Sequence, residues 1–200
     1  MKLLIIRHGE SEADILKVHE GRADFELTPR GHKQAEAMAE YVASNYRVNK
    51  IYCSTLKRAA QSARHIAEKT GLPIIFDENL MEFNNGLLAG LSYEEANEKY
   101  PPVKDLPIDQ AVYGQESKVE FRKRADEVLQ RILSEASEND QIAVVSHGGM
   151  INQLYRSALK LPVVTDVYFA CGDTCIHEWN VTDNGIRVVR TNMTEHCKNI

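Results

Sequence analysis

Short apolar runs that break off into polar, glycine-containing segments limit what this chain can fold into. Leu3 to Ile6 gives way to Arg7-His8-Gly9-Glu10, and Ile142 to Val145 gives way to Ser146-His147-Gly148-Gly149. A shorter run, Ile51 to Cys53, is followed by Ser54-Thr55-Leu56-Lys57-Arg58. Continuous apolar runs of this length suit strands covered on both faces. Between them lie segments with helical spacing. Ala35, Met38, Ala39 and Val42 share a face behind Thr28-Pro29, which read as N-cap and first helical residue. Leu56, Ala59, Ala63 and Ile66 share another, in a helix starting near Ser54 or Thr55 and ended by Gly71 and Pro73.

Ser92 with Glu95, and Ser117 with Glu120, read as capping boxes. The first opens a short helix that stops before Pro101-Pro102. The second opens a longer one burying Phe121, Ala125, Val128 and Ile132. A last helix is expected from about Gly149 to Leu159, and a strand over Leu72 to Phe76. Strands alternating with helices predict an α/β fold, a three-layer sandwich whose mostly parallel central sheet is flanked by helices. Thr174 to Val181 and Ile186 to Thr191, around Asp183-Asn184-Gly185, predict an antiparallel edge hairpin. Residues 101–116 read as a long loop. With no repeat and no boundary, residues 1–200 are expected to form a single catalytic domain.

Charge narrows the partners. The formal net charge is −5, which speaks against a general nucleic-acid or membrane-surface binder, since those usually carry a basic excess. Met1 to Glu10 lacks the features of a secretory leader, and no apolar stretch is long enough to span a membrane, so a cytoplasmic location is expected. Cys53, Cys171, Cys175 and Cys197 then read as reduced, small buried hydrophobes. A zinc cluster from Cys171, Cys175, His177, His196 and Cys197 fits no standard spacing, and no metal or other cofactor is expected.

In open α/β sheets, ligands bind beyond the carboxyl ends of parallel strands. The strand ends above therefore bring two arginines, two histidines and free helix-start N–H groups to one crevice. That set suits a tetrahedral oxyanion. Arginine offers a planar charged fork, helix N-termini add donors, and glycine permits close backbone approach. No Gly-rich nucleotide fingerprint is present.

These residues resemble those of the histidine phosphatase superfamily, the phosphoglycerate-mutase-like proteins. Arg7-His8-Gly9-Glu10-Ser11 looks like its signature. Leu27-Thr28 with Gly31 and Gln34-Ala35, Ser54 to Arg58, and Glu82 with Gly86 and Gly90 resemble its later blocks. Gly114 to Ser117 with Arg124, Ser146 to Gly149, and Asn192 with His196 complete the ordered set. The resemblance implies that His8 becomes phosphohistidine, that Arg7, Arg58, His147 and Gly148 hold the phosphoryl oxygens, and that Glu82 is general acid and then base. The catalytic set is thus His8, Glu82 and His147, the partner a small phosphorylated substrate. Such chemistry needs alignment and cationic clamping rather than a metal.

Departures from the family pattern fall at Asp14, Val18 and Glu20, where it often has Asn, Arg and Gln. These acids are kept out of the binding set, with solvent exposure or pairing with Arg22 as alternatives. The loop from Pro101 to Gln115 has one Lys and no Arg, where the longer mutases carry basic residues for a substrate carboxylate. This favours hydrolysis of a phosphomonoester. Phe83, Tyr93, Tyr100 and Tyr113 are candidates for an apolar mouth or for packing. The competing functions are phosphoglycerate mutase, a phosphatase of cofactor biosynthesis such as one for α-ribazole phosphate, and a catalytically silent phospho-ligand-binding module.

Overall fold

A computed structural model describes residues 1–200. Its strands are β1 (Lys2–Arg7), β2 (Lys50–Cys53), β3 (Ile74–Phe76), β4 (Gln141–Ser146), β5 (Ile176–Thr182) and β6 (Gly185–Met193). The helices are α1 (Glu12–Leu16), α2 (Pro29–Asn45), α3 (Lys57–Thr70), α4 (Tyr93–Lys99), α5 (Lys118–Ser134) and α6 (Gly148–Ala158). The strands form one sheet in the order β3-β2-β4-β1-β5-β6. The β3-β2-β4-β1 portion is parallel, and β5 and β6 add an antiparallel edge pair. This is the expected layered α/β architecture.

Strand side chains alternate between faces, and the sequence supplies apolar residues to both. Leu3, Ile5, Ile142, Val144 and Trp179 pack with Phe121, Val128 and Ile132 of α5 and with Met150 and Leu154 of α6. Leu4, Ile6, Ile51, Ala143 and Val145 pack on the other face with Met38 and Val42 of α2 and Ala59, Ala63 and Ile66 of α3. Each of these residues is at most 6% exposed, so truncating one such as Ile66 to Ala would cost about 2–5 kcal/mol. No helix is long and apolar enough to cross a membrane.

Thr28 caps α2 by accepting the Gly31 N–H, with Pro29 as first helical residue. Both capping boxes form. Three boundaries move and one helix is new. Helix α3 starts at Lys57 rather than at Ser54 or Thr55, because the Ser54 hydroxyl accepts the Leu56 N–H and faces His147, outside helical geometry. Strand β3 loses Leu72 and Pro73, since Leu72 packs beside the α2–α3 core instead and Pro73 has no N–H to donate. Strand β5 starts after Thr174, whose φ is +50°, a turn conformation. The short α1 was not foreseen; its one local signal is Ser11-x-x-Asp14, and the Asp14 carboxylate accepts the Ser11 N–H at 2.8 Å.

Candidate active site

Sheet register builds the centre of the site. Arg7 pairs with Ser146 across β1 and β4, and Cys53 with Val145 across β2 and β4. The residues immediately beyond these pairs, His8, His147 and Ser54, therefore emerge side by side. The His8 and His147 ring centroids lie 5.0 Å apart. The His147 Nε2 is 2.8 Å from Ser54 Oγ.

His8 is 1% exposed. Its Nδ1 lies 2.7 Å from the Gly9 carbonyl oxygen. A carbonyl only accepts, so the ring hydrogen sits on Nδ1 and Nε2 keeps its lone pair. Arg58 Nε donates to that lone pair at 3.2 Å. Burial, then the charges of Arg58 and Arg7, hold the His8 pKa well below the usual imidazole range. Burial and the charges of Arg58, His8 and Arg7 do the same to His147. Both rings are therefore neutral at pH 7. The His147 Nδ1 is buried without a hydrogen-bond partner.

Arg58, fully buried on the first turn of α3, is fixed by two carbonyls: Nη1 donates to Ala23 O at 3.0 Å and Nη2 to Gly21 O at 2.8 Å. Arg7, at the end of β1, donates from Nη1 to Cys171 O at 2.8 Å and pairs with Asp173 at 3.3 Å. Gly148 is the first residue of α6, beside the Arg7 side chain, where helical N–H groups lack intrahelical partners.

Glu82 reaches the site from the loop after β3. Its Oε2 accepts the Gly149 N–H and its Oε1 the Phe83 N–H, both at 2.8 Å. A Cβ on residue 149 would stand 2.3 Å from Glu82 Oε1, so a side chain there would push the carboxylate out of its present position. Behind it, Arg124 donates to the Met81 and Glu82 carbonyls while its fork grips Glu116 at 2.9 and 2.7 Å. The structure thus brings Arg7, His8, Arg58, Glu82, His147 and Gly148 to one place.

The acids left out of the binding set are here too. Glu20 does not pair with Arg22. Its Oε1 is 3.1 Å from Arg58 Nε and accepts the Ser11 hydroxyl, and its Oε2 is 3.8 Å from His8 Nε2. Burial raises the Glu20 pKa, against the opposing pull of Arg58. Asp14 faces Arg7 at 3.8 Å. Neither contact was legible in the sequence: that of Glu20 depends on the path of the loop between α1 and α2, and that of Asp14 on the unforeseen helix α1. An adjoining cavity of about 380 Å³ is lined by Asp14, Lys17, His19, Glu20, Glu82 and Phe83, with Tyr93 at its edge. Tyr100 and Tyr113 instead pack on each other, with centroids 5.2 Å apart.

The residues weighed, and set aside, as a zinc cluster separate into two groups. Cys171, Cys175 and His177 converge, their side-chain ligand atoms within 4.8 Å of one another. His196 and Cys197 instead contact the Thr174 hydroxyl at 3.1 and 3.2 Å.

Comparison with known proteins places the chain in a family. The family described as "Histidine phosphatase superfamily (branch 1)" matches residues 3–194. Phosphoglycerate mutase-like protein 4 of Arabidopsis thaliana is 34% identical over 78% of this chain and 70% of the relative. Phosphoserine phosphatase 1 of Hydrogenobacter thermophilus is 28% identical over 98% of this chain and 94% of the relative. The native structure of a mycobacterial glucosyl-3-phosphoglycerate phosphatase superposes with a TM-score of 0.80 at 26% identity, covering 96% of this chain and 98% of that one. With the match running almost from end to end, this chain belongs to the histidine phosphatase superfamily.

Proposed function

We propose that residues 1–200 act as one catalytic domain, a phosphomonoester phosphatase working through a phosphohistidine at His8. The observation that carries this reading is the His8 ring, neutral, with Nδ1–H held by Gly9 O and Nε2 presented to buried Arg58. A nucleophilic imidazole needs that tautomer and that lone pair. In the first step Nε2 attacks phosphorus and the ester oxygen leaves. Arg7, Arg58 and the Gly148 N–H hold the equatorial oxygens through a loose transition state. If Ser54 donates to His147 Nε2, the His147 hydrogen lies on the unpartnered Nδ1, free to donate to a phosphoryl oxygen. Glu82 protonates the leaving alkoxide, then takes a proton from the water that attacks phosphohistidine.

The arginines supply the positive charge this chemistry needs, so the reaction is proposed to run without a metal. The cavity beside the cradle suits a substrate whose remaining part carries hydroxyl or amino groups, since Asp14, Glu20 and Glu82 face it against one Lys. A second substrate anion would meet these carboxylates, which supports hydrolysis over mutase chemistry.

p-Nitrophenyl phosphate hydrolysis tests the reading. The wild type should turn over and be indifferent to EDTA, and His8→Ala should lose at least about 10⁴-fold in kcat. Appreciable activity in that variant would rule out the covalent route. Inhibition by EDTA reversed by a divalent ion would refute the metal-free one.

A further inference from the structure

We propose that Cys171 and Cys175 form a peroxide-responsive thiol pair whose disulfide loosens the hold on Arg7 and His8 and so weakens phosphate binding. Its effect on activity rests on the phosphatase reading; its chemistry does not.

The two cysteines bracket the tight turn Gly172-Asp173-Thr174, which touches the cradle at four points. Arg7 Nη1 donates to Cys171 O at 2.8 Å, and the Arg7 N–H to Cys175 O at 3.2 Å. The Thr174 N–H donates to His8 O at 3.0 Å, and Asp173 pairs with Arg7 at 3.3 Å. Thr174 adopts φ +50°, a left-handed conformation that a β-branched residue rarely takes. Asn192 holds the turn from outside, its Oδ1 accepting the Gly172 N–H at 2.8 Å.

His177 decides between a metal site and a thiol site. Its Nδ1 accepts the Asn192 N–H at 3.2 Å, and the Tyr155 hydroxyl lies 2.8 Å from the same atom. A backbone N–H only donates, so the ring hydrogen is on Nε2. That atom faces both sulfurs, at 3.6 Å from Cys171 Sγ and 3.3 Å from Cys175 Sγ. A metal ligand needs a free lone pair at that nitrogen; a thiolate needs the N–H found there. Asn152 Nδ2 adds a second donor to Cys171 Sγ at 3.7 Å, and Phe169 O, at 3.5 Å, receives the S–H when the thiol is protonated.

The Cys175 thiol, His177 and Arg7 pull the Cys171 pKa down against its burial, while Cys171 and burial push Cys175 up. Cys171 is half-buried, whereas Cys175 is fully buried. This is the arrangement of an attacking and a resolving thiol.

The oxidant is hydrogen peroxide. The Cys171 thiolate attacks one peroxide oxygen, the O–O bond breaks, and the departing hydroxide takes a proton to become water. Cys171 is then a sulfenic acid. Cys175 loses its proton and attacks the Cys171 sulfur, and the expelled hydroxide leaves with that proton as a second water. The two sulfurs lose two electrons in all, and the peroxide gains them.

The test treats purified full-length protein with hydrogen peroxide and reads three quantities. The tryptic peptide Leu161–Arg187 contains both cysteines and neither of the others, so its disulfide makes it lighter by two hydrogens. Calorimetry gives the affinity for inorganic phosphate, and p-nitrophenyl phosphate gives kcat/KM. The expected result is the lighter peptide, with phosphate affinity and kcat/KM falling roughly 10- to 100-fold and recovering with dithiothreitol. Cys175→Ser should form no disulfide and instead leave a dimedone-reactive sulfenic acid on Cys171. Oxidation confined to Cys53 or Cys197 would overturn the proposal. So would a disulfide that leaves phosphate affinity unchanged, or one equivalent of Zn²⁺ retained by the wild type and lost in Cys171→Ser. Peptide mass and phosphate affinity are read without turnover, so a failed phosphatase reading and a failed thiol switch give different results.

Discussion

The two walls of the site are built differently. The inner wall, with His8, Arg58 and His147, stands on strand ends and helix starts whose spacing is set by sheet register, Arg7 against Ser146 and Cys53 against Val145. The outer wall, from Ala13 to Gly21 and from Glu82 to Tyr93, is made of loops and short helices joined by individual polar contacts. The backbone beneath each inner-wall side chain is anchored in the sheet or in a helix start that follows directly from it. A side chain on the outer wall moves when a single partner changes. The difference assigns fixed chemistry to the first and substrate selection to the second.

Damage to the inner wall should have the largest effect. Arg58→Lys keeps the charge but loses the planar fork anchored to Gly21 and Ala23, and kcat/KM should fall roughly 10²- to 10³-fold. A loss under tenfold would mean that the cradle does not depend on this fork.

Glu82→Gln tests the junction of the two walls. With alkyl phosphates the loss should be roughly 10²-fold or more. With p-nitrophenyl phosphate, whose leaving group needs no proton, the loss in kcat/KM, which reports phosphoryl transfer to His8 and not the later hydrolysis, should be much smaller. Equal losses on both substrates would remove the general-acid role.

These two predictions concern what was most legible in the sequence. The cradle could be read because strand runs and helix caps are local signals, and register then fixes what lies beyond each strand. The outer wall could not. Glu20 reaches Arg58 only because the loop around Gly21 folds back, with φ +46° at Gly21 and its backbone pressed against Asn85. The pairing of Cys171 with Cys175 depends on the left-handed Thr174, which no local pattern announces. The five-residue α1 leaves Ile15 and Leu16 exposed, so it shows no amphipathic period to detect.

The outer wall should respond more gently. The Glu20 carboxylate sits beside Arg58 and His8, where the phosphoryl group is proposed to bind. Glu20→Gln removes this like charge and should tighten inorganic phosphate binding at pH 7 roughly fivefold, about 1 kcal/mol. Because the Glu20 pKa is raised, wild type and variant should converge as pH falls and the wild-type carboxyl is protonated. Weaker binding by the variant at pH 7 would mean that Glu20 assists phosphate rather than opposing it.

The smallest effect concerns stability. His8 and His147 both have folded pKa values below the usual 6.5. Below 6.5 the unfolded chain takes up protons that the folded one refuses, so their stabilising contribution is intact above 6.5 and lost as pH falls. Thermal melts should show this decline, and His8→Gln with His147→Gln should flatten it. An unchanged slope would place the acid sensitivity elsewhere.

The central claim, a phosphohistidine at His8, is tested most directly by rapid-quench trapping with a ³²P-labelled phosphomonoester. The account predicts an acid-labile, alkali-stable phosphoenzyme approaching one per chain, with the label on His8 and absent from His8→Ala. Turnover without a phosphoenzyme, or label on another residue, would contradict it.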